Sequence, residues 1–247
     1  MSIYQNLLAA VSAHGAAYLV LVDPDKIDEA AFPAFVEQST SAGVDGFLVG
    51  GSLVLGDTFE QSIRTIKKHT NVPVIIFPGS VQQVSREADA ILFLSLLSGR
   101  NAEHIIGSQV TAAPIIRKMG LEAIPTAYLL VESGRTTSAE FMSNTKPLPR
   151  NKPDIAVAHA LAAEYLGFKL LYLEAGSGAE QSVPEEMIGA VARATKVPLI
   201  AGGGITTPDD AHRKVGAGAS FVVTGNVLEK NGSKNLMKEF AAAIHSR

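Results

Sequence analysis

Lys169-Leu170-Leu171-Tyr172-Leu173-Glu174, Pro198-Leu199-Ile200-Ala201 and Ser220-Phe221-Val222-Val223-Thr224 are three short apolar runs. A glycine turn follows each of them: Ala175-Gly176-Ser177-Gly178, Gly202-Gly203-Gly204-Ile205 and Gly225-Asn226. Helical patterns at Pro184 to Thr195 and Pro208 to Val215 separate the runs, so the unit is strand, turn, helix, repeated. Upstream, further buried-strand patterns recur at Ala17 to Val22, Gly46 to Gly50, Val74 to Phe77, Ala90 to Leu97 and Leu121 to Val131. The remaining helical patterns are Asp28 to Ser41, Thr58 to His69, Ala102 to Lys118, Ile155 to Leu166 and Asn226 to Ile244. Eight strands alternating with helices predict right-handed βαβ units closed into one (β/α)8 TIM barrel over residues 1–247. The third crossover, Ser80 to Ala88, is too short for a covering helix and predicts an opening on that side.

Composition agrees with a parallel sheet buried on both faces. Of 247 residues, 47% are hydrophobic, only 6% are aromatic, and Trp is absent, which leaves the core to aliphatic side chains and Phe. The absence of cysteine excludes disulfides. A net charge of −3 with no basic stripe excludes nucleic-acid binding. No apolar run approaches the ~18 residues of a membrane span, and Met1 to His14 lacks the marks of a signal peptide. The expectation is a cytoplasmic protein with at most peripheral membrane contact.

Helix starts are marked at Asp28, at Asp57 and at Thr207-Pro208. The longest turn-rich interruption, Glu132 to Lys152, reads as an ordered functional loop or a mobile lid.

In such barrels the site lies where strands end and βα loops begin. The three glycine turns are suited to a phosphate, because glycine admits close approach of the anion and helix N-termini supply N–H donors without Lys or Arg. Ser177 adds a hydroxyl, and Gly203, Gly204, Gly225 and Asn226 add backbone donors. Glu174 ends an otherwise apolar run and is the candidate general base. Tyr172 alternates with it along the strand, so both point inward. At the end of the first strand stands Asp23-Pro24-Asp25, and at the end of the second Gly50-Gly51-Ser52. An isolated Asp-Pro-Asp reads as a turn cap, but beside a phosphate site and Ser52 it favours Mg²⁺ at Asp23. The six histidines show no ligand spacing and read as surface or core bystanders.

These blocks, together with Leu21-Val22-Asp23-Pro24-Asp25-Lys26 and Ile124-Pro125-Thr126-Ala127-Tyr128-Leu129-Leu130-Val131, resemble the geranylgeranylglyceryl phosphate synthases over nearly the whole chain. The resemblance implies transfer of a C20 prenyl group from geranylgeranyl diphosphate to the C3 hydroxyl of sn-glycerol 1-phosphate, releasing diphosphate, with Mg²⁺ as cofactor. It implies metal and diphosphate at Asp23 and Ser52. It implies glycerol phosphate at Tyr172, Leu173, Glu174, Ala175, Gly176, Ser177, Gly178, Gly203, Gly204, Gly225 and Asn226. Leu21 stands where some members carry Lys, which places the chain with the family's second subgroup and implies a homo-oligomer, dimer or hexamer. A longer-chain, C35-specific branch exists within the family and is less compatible with that departure. Phe77, Phe93 and Leu96 are expected to line the groove for the prenyl tail. The rival readings are a phosphosugar isomerase, epimerase or aldolase on the same barrel, and a barrel that only binds a phosphometabolite. No Lys stands at a strand's C-terminal end for a Schiff base, and Asp23 with Glu174 argues against mere binding.

Overall fold

All eight apolar runs form strands. They are β1 (Ala17–Val22), β2 (Gly46–Val49), β3 (Val74–Ile76), β4 (Ala90–Leu96), β5 (Glu122–Leu130), β6 (Leu170–Glu174), β7 (Leu199–Gly202) and β8 (Phe221–Thr224). In the computed structural model, which describes residues 1–225 and 234–245, they pair in parallel in chain order and close as a barrel, β8 against β1. Alternation along each strand divides the apolar residues into two cores. Leu19, Leu48, Ile75, Leu92, Ile124, Leu170, Ile200 and Phe221 fill the barrel, while Tyr18, Val20, Phe47, Val49, Leu171, Leu173 and Val222 pack against the helices.

The helices among the described residues are α1 (Ile3–His14), α2 (Phe32–Ala42), α3 (Phe59–His69), α4 (Ser108–Met119), α5 (Ser138–Ser143), α6 (Pro153–Tyr165), α7 (Glu185–Ala194), α8 (Pro208–Ala217) and α9 (Lys234–Ile244). The expected start of the last helix at Asn226 lies outside the described residues. No described helix is long and apolar enough to cross a membrane.

Two local features depart from the sequence reading, and a third is filled in. Asp28 opens a turn rather than a helix: its carboxylate accepts from the Ala30 N–H at 3.1 Å, and α2 begins only at Phe32, with Pro33 in its first turn. α1 lies outside the helical patterns read from the sequence. Its Ser2 and Gln5 form a reciprocal capping box, and Glu122 at the start of β5 accepts from the Ile3 and Tyr4 N–H groups. Leu7 and its apolar neighbours thereby close the N-terminal end of the barrel. Within Glu132 to Lys152, α5 is capped by Thr137, and Val131 bridges to Leu148. Backbone hydrogen bonds from Glu132 to Leu148 and from Leu148 to Leu130 tie the segment to the end of β5.

As expected, no helix follows β3: residues 77–89 are irregular. Elsewhere the helical layer is tied by an ion network around the buried Lys214 of α8, 1% exposed, which reaches the half-exposed Glu185 of α7 at 2.6 Å and Asp210 at 2.9 Å.

Candidate active site

Strand alternation carries Tyr172 and Glu174 of β6 inward together at the C-terminal end of the barrel. Both are buried, Glu174 at 5% exposure. The Gly176 N–H donates to Glu174 Oε1 at 2.6 Å. The Tyr172 hydroxyl stands beside the carboxyl without a hydrogen bond of good geometry among the described residues. Burial raises the Glu174 pKa from 4.5 to about 7, and the Gly176 N–H and the Tyr172 hydroxyl only partly offset it. Such a group is half ionised near neutrality, as a general base requires. Tyr172 itself stays a neutral phenol, held well above 10 by burial and then by the Glu174 charge. Tyr128 is raised in the same way. Phe77, Tyr128 and Tyr172 form an aromatic floor with ring centroids 5.3 to 6.0 Å apart.

The three glycine turns meet around one cavity of about 660 Å³. Gly176, Ser177, Gly178, Gly203, Gly204 and Gly225 all border it; Asn226 lies outside the described residues. Leu173 and Ala175 are buried, as strand and turn core, and do not border the cavity. Gly203 is required on two counts. Its φ is +79°, and a Cβ there would stand 2.2 Å from Glu174 Oε1. The turn therefore fits against the carboxylate only because it lacks side chains.

Across the rim, Asp23, Lys26 and Ser52 border the same cavity. Asp23 faces the Lys26 ammonium at 2.7 Å and accepts from the Asp25 N–H. Asp25 is turned elsewhere: it holds the Leu55 and Gly56 N–H groups at 2.7 and 3.0 Å and so shapes the loop after β2. A Cβ on Gly51 would lie 3.4 Å from Asp23 Oδ1, so the glycine keeps space open over that oxygen. One carboxylate and a hydroxyl facing a diphosphate-sized space fit Mg²⁺, which takes few protein ligands and completes its shell with water and phosphate oxygens.

Gln83, missed by the sequence reading, holds this rim together. Its amide accepts from the Gly51 and Gly79 N–H groups and donates to the Gly51 carbonyl at 2.9 Å. Gly50 permits the approach, since a Cβ there would strike the Phe77 carbonyl at 2.0 Å. A buried Gln in an irregular crossover carries no sequence signal of its own. Where the third helix is missing, the cavity continues along Val84, Ile91, Phe93, Leu96 and α4 residues Ala112 and Ile116. Phe77, Phe93 and Leu96 therefore lie on the expected apolar groove. Ser138, Ala139 and Met142 of α5 border its mouth.

The structure adds two placements for the histidines that the sequence pattern does not show. His104, in the π-helical turn leading into α4, borders the cavity. His14 and His245 meet at Asp45 on the opposite side of the barrel; they stand at opposite ends of the chain, so no spacing pattern could pair them.

Comparison with known proteins places these features in context. A model of the PcrB family matches residues 11–244. The chain is 46% identical over 228 residues to the geranylgeranylglyceryl phosphate synthase of Spirosoma linguale, covering 92% of this chain and 91% of the relative. It is 48% identical over 216 residues to that of Methanothermobacter marburgensis, covering 87% of each. The crystal structure of (S)-3-O-geranylgeranylglyceryl phosphate synthase from Thermoplasma acidophilum, in complex with its substrate sn-glycerol-1-phosphate, superposes with a TM-score of 0.94 at 34% identity over the full length of both chains.

Proposed function

The chain belongs to the PcrB family, and from that premise we propose that it transfers a prenyl group from a prenyl diphosphate to the C3 hydroxyl of sn-glycerol 1-phosphate, forming the ether of an ether phospholipid precursor. The observation that carries this reading is the single cavity in which Glu174, with its pKa near 7, faces both the glycine turns and Asp23.

The turns at Gly176 to Gly178, Gly203 to Gly204 and Gly225 grip the phosphate, which leaves the glycerol hydroxyl beside Glu174. As the hydroxyl oxygen bonds to C1 of the donor, its proton passes to the Glu174 carboxylate, and the bond from C1 to the diphosphate oxygen breaks with its electron pair leaving on diphosphate. Mg²⁺, held by Asp23 and Ser52, would supply charge neutralisation for that leaving group. Lys26 contributes a further positive charge on the same rim. The aromatic floor of Phe77, Tyr128 and Tyr172 keeps bulk water away from the allylic carbon.

The donor is the C20 geranylgeranyl diphosphate. Its tail lies in the groove opened by the missing third helix, and the cavity volume of about 660 Å³ is in the range of ligand pockets, about 300–1,000 Å³. A cytoplasmic location and a homo-oligomer, dimer or hexamer, belong to the same reading; exposed Ile106, Val110 and Ile115 around α4 support an association surface. The test is incubation with geranylgeranyl diphosphate, sn-glycerol 1-phosphate and Mg²⁺, reading diphosphate release and the ether product. Turnover with sn-glycerol 1-phosphate and not with sn-glycerol 3-phosphate is expected; equal turnover with both would overturn the assignment.

A further inference from the structure

Far from the cavity, at the N-terminal end of the barrel, three side chains from distant parts of the chain converge. His14 ends α1, Asp45 immediately precedes β2, and His245 follows α9. One ligand atom from each lies within 4.8 Å of the other two. We propose that His14 Nδ1, His245 Nε2 and the Asp45 carboxylate form a binding site for a divalent transition metal of the Zn²⁺ class, separate from Mg²⁺ at the catalytic rim.

The geometry suits such an ion. Zinc bonds of about 2.0–2.1 Å to nitrogen and oxygen place neighbouring tetrahedral donors roughly 3.3 Å apart. His14 Nδ1 stands 3.4 Å from Asp45 Oδ1, and His245 Nε2 stands 2.8 Å from Asp45 Oδ2, so the first pair already has that spacing and the second would open by about half an ångström. The imidazole rings lie 4.3 Å apart between centroids. A second observation points to a missing ligand: His14 Nδ1 is buried and has no hydrogen-bond partner among the described residues. An unmet buried nitrogen is costly, and coordination removes the cost.

Supporting contacts hold the donors in place, as metal sites require. Asp45 Oδ2 accepts from the Tyr18 N–H at 2.8 Å, and the Asp45 N–H returns to the Tyr18 carbonyl at 2.9 Å. The His245 ring rests over Gly43, where a Cβ would come within 3.6 Å of it. The His14 side chain is 42% exposed through the rest of its ring, while Nδ1, the proposed ligand atom, faces Asp45. Two imidazoles and one carboxylate favour Zn²⁺, Co²⁺ or Ni²⁺ over Mg²⁺ or Ca²⁺. The bound ion would clasp α1 to the last helix and so tie the two ends of the chain beneath the barrel.

The experiment is a Co²⁺ titration of the tag-free, chelator-treated full chain in millimolar Mg²⁺, followed by visible d–d absorption, with Zn²⁺ binding measured by calorimetry. One equivalent should bind. His14→Gln and His245→Ala should each weaken binding about a hundredfold or more, and Zn²⁺ should raise Tm in the wild type but in neither variant. His14→Gln keeps a polar, helix-compatible residue at a half-exposed position, and circular dichroism confirms that each variant is folded. Absence of binding in the wild type, or equal affinity in both folded variants, would overturn the proposal.

Discussion

Replacing Glu174 by Gln separates two consequences of the same burial. The wild-type carboxyl has a pKa of about 7 in the folded protein against 4.5 in the open chain. Because the folded value is the higher one, the folded state binds the proton more tightly, so stability present below pH 4.5 is lost as pH rises through about 7. The loss amounts to about 3 kcal/mol at pH 8 or above. The Gln amide is neutral at every pH and can still accept the Gly176 N–H through its oxygen. Glu174→Gln should therefore be more stable than the wild type at pH 8 by up to ~3 kcal/mol, roughly 6–12 °C in Tm for a chain of this size, and the advantage should vanish at pH 4.5. Catalysis should move the other way. Wild-type kcat/KM should fall about tenfold per pH unit below 7 as the base is protonated, and the variant should lose about 10²- to 10⁴-fold with no such acid limb. Calorimetry across pH and diphosphate release in single turnover read the two effects. A flat wild-type profile between pH 5.5 and 8, or a fully active variant, would refute the reasoning.

Gly203→Ala should raise KM for sn-glycerol 1-phosphate by at least tenfold, since the new Cβ meets Glu174 Oε1 at 2.2 Å in a left-handed turn; an unchanged KM would mean that this turn does not grip the phosphate. Asp23→Asn should lower the rate and shift the Mg²⁺ titration to higher concentration together, and a titration superposing on the wild type would remove Asp23 as a ligand. Gln83→Leu should cost about 2–3 kcal/mol by leaving the Gly51 and Gly79 N–H groups unpaired, with a raised KM for the prenyl donor and little change for glycerol phosphate. Equal effects on both substrates would contradict its role in shaping the Asp23 rim.

Much of the site was legible before the fold was known because its parts are local. A strand's two-residue period places Tyr172 and Glu174 on one face whatever lies around them, and glycine turns after apolar runs mark strand ends. Asp25 was less legible: whether it points to the cavity or to the Leu55 and Gly56 N–H groups depends on where the second loop folds. α1 was missed although Ser2 and Gln5 spell a capping box, since its apolar face is explained only by the open barrel end that it covers.

The alternation of strand, glycine turn and helix was sufficient by itself to determine the barrel, its irregular third crossover and the inward pairing of Tyr172 with Glu174, because each follows from the period of the backbone. Barrel closure alone decided the rest. It brought Asp23 to the same cavity as Gly225, buried Glu174 deeply enough to raise its pKa to about 7, set Gln83 between two loops and joined His14 to His245 across nearly the whole chain. Solvent exclusion and long-range proximity are properties of the packed molecule, and no local pattern of residues encodes them.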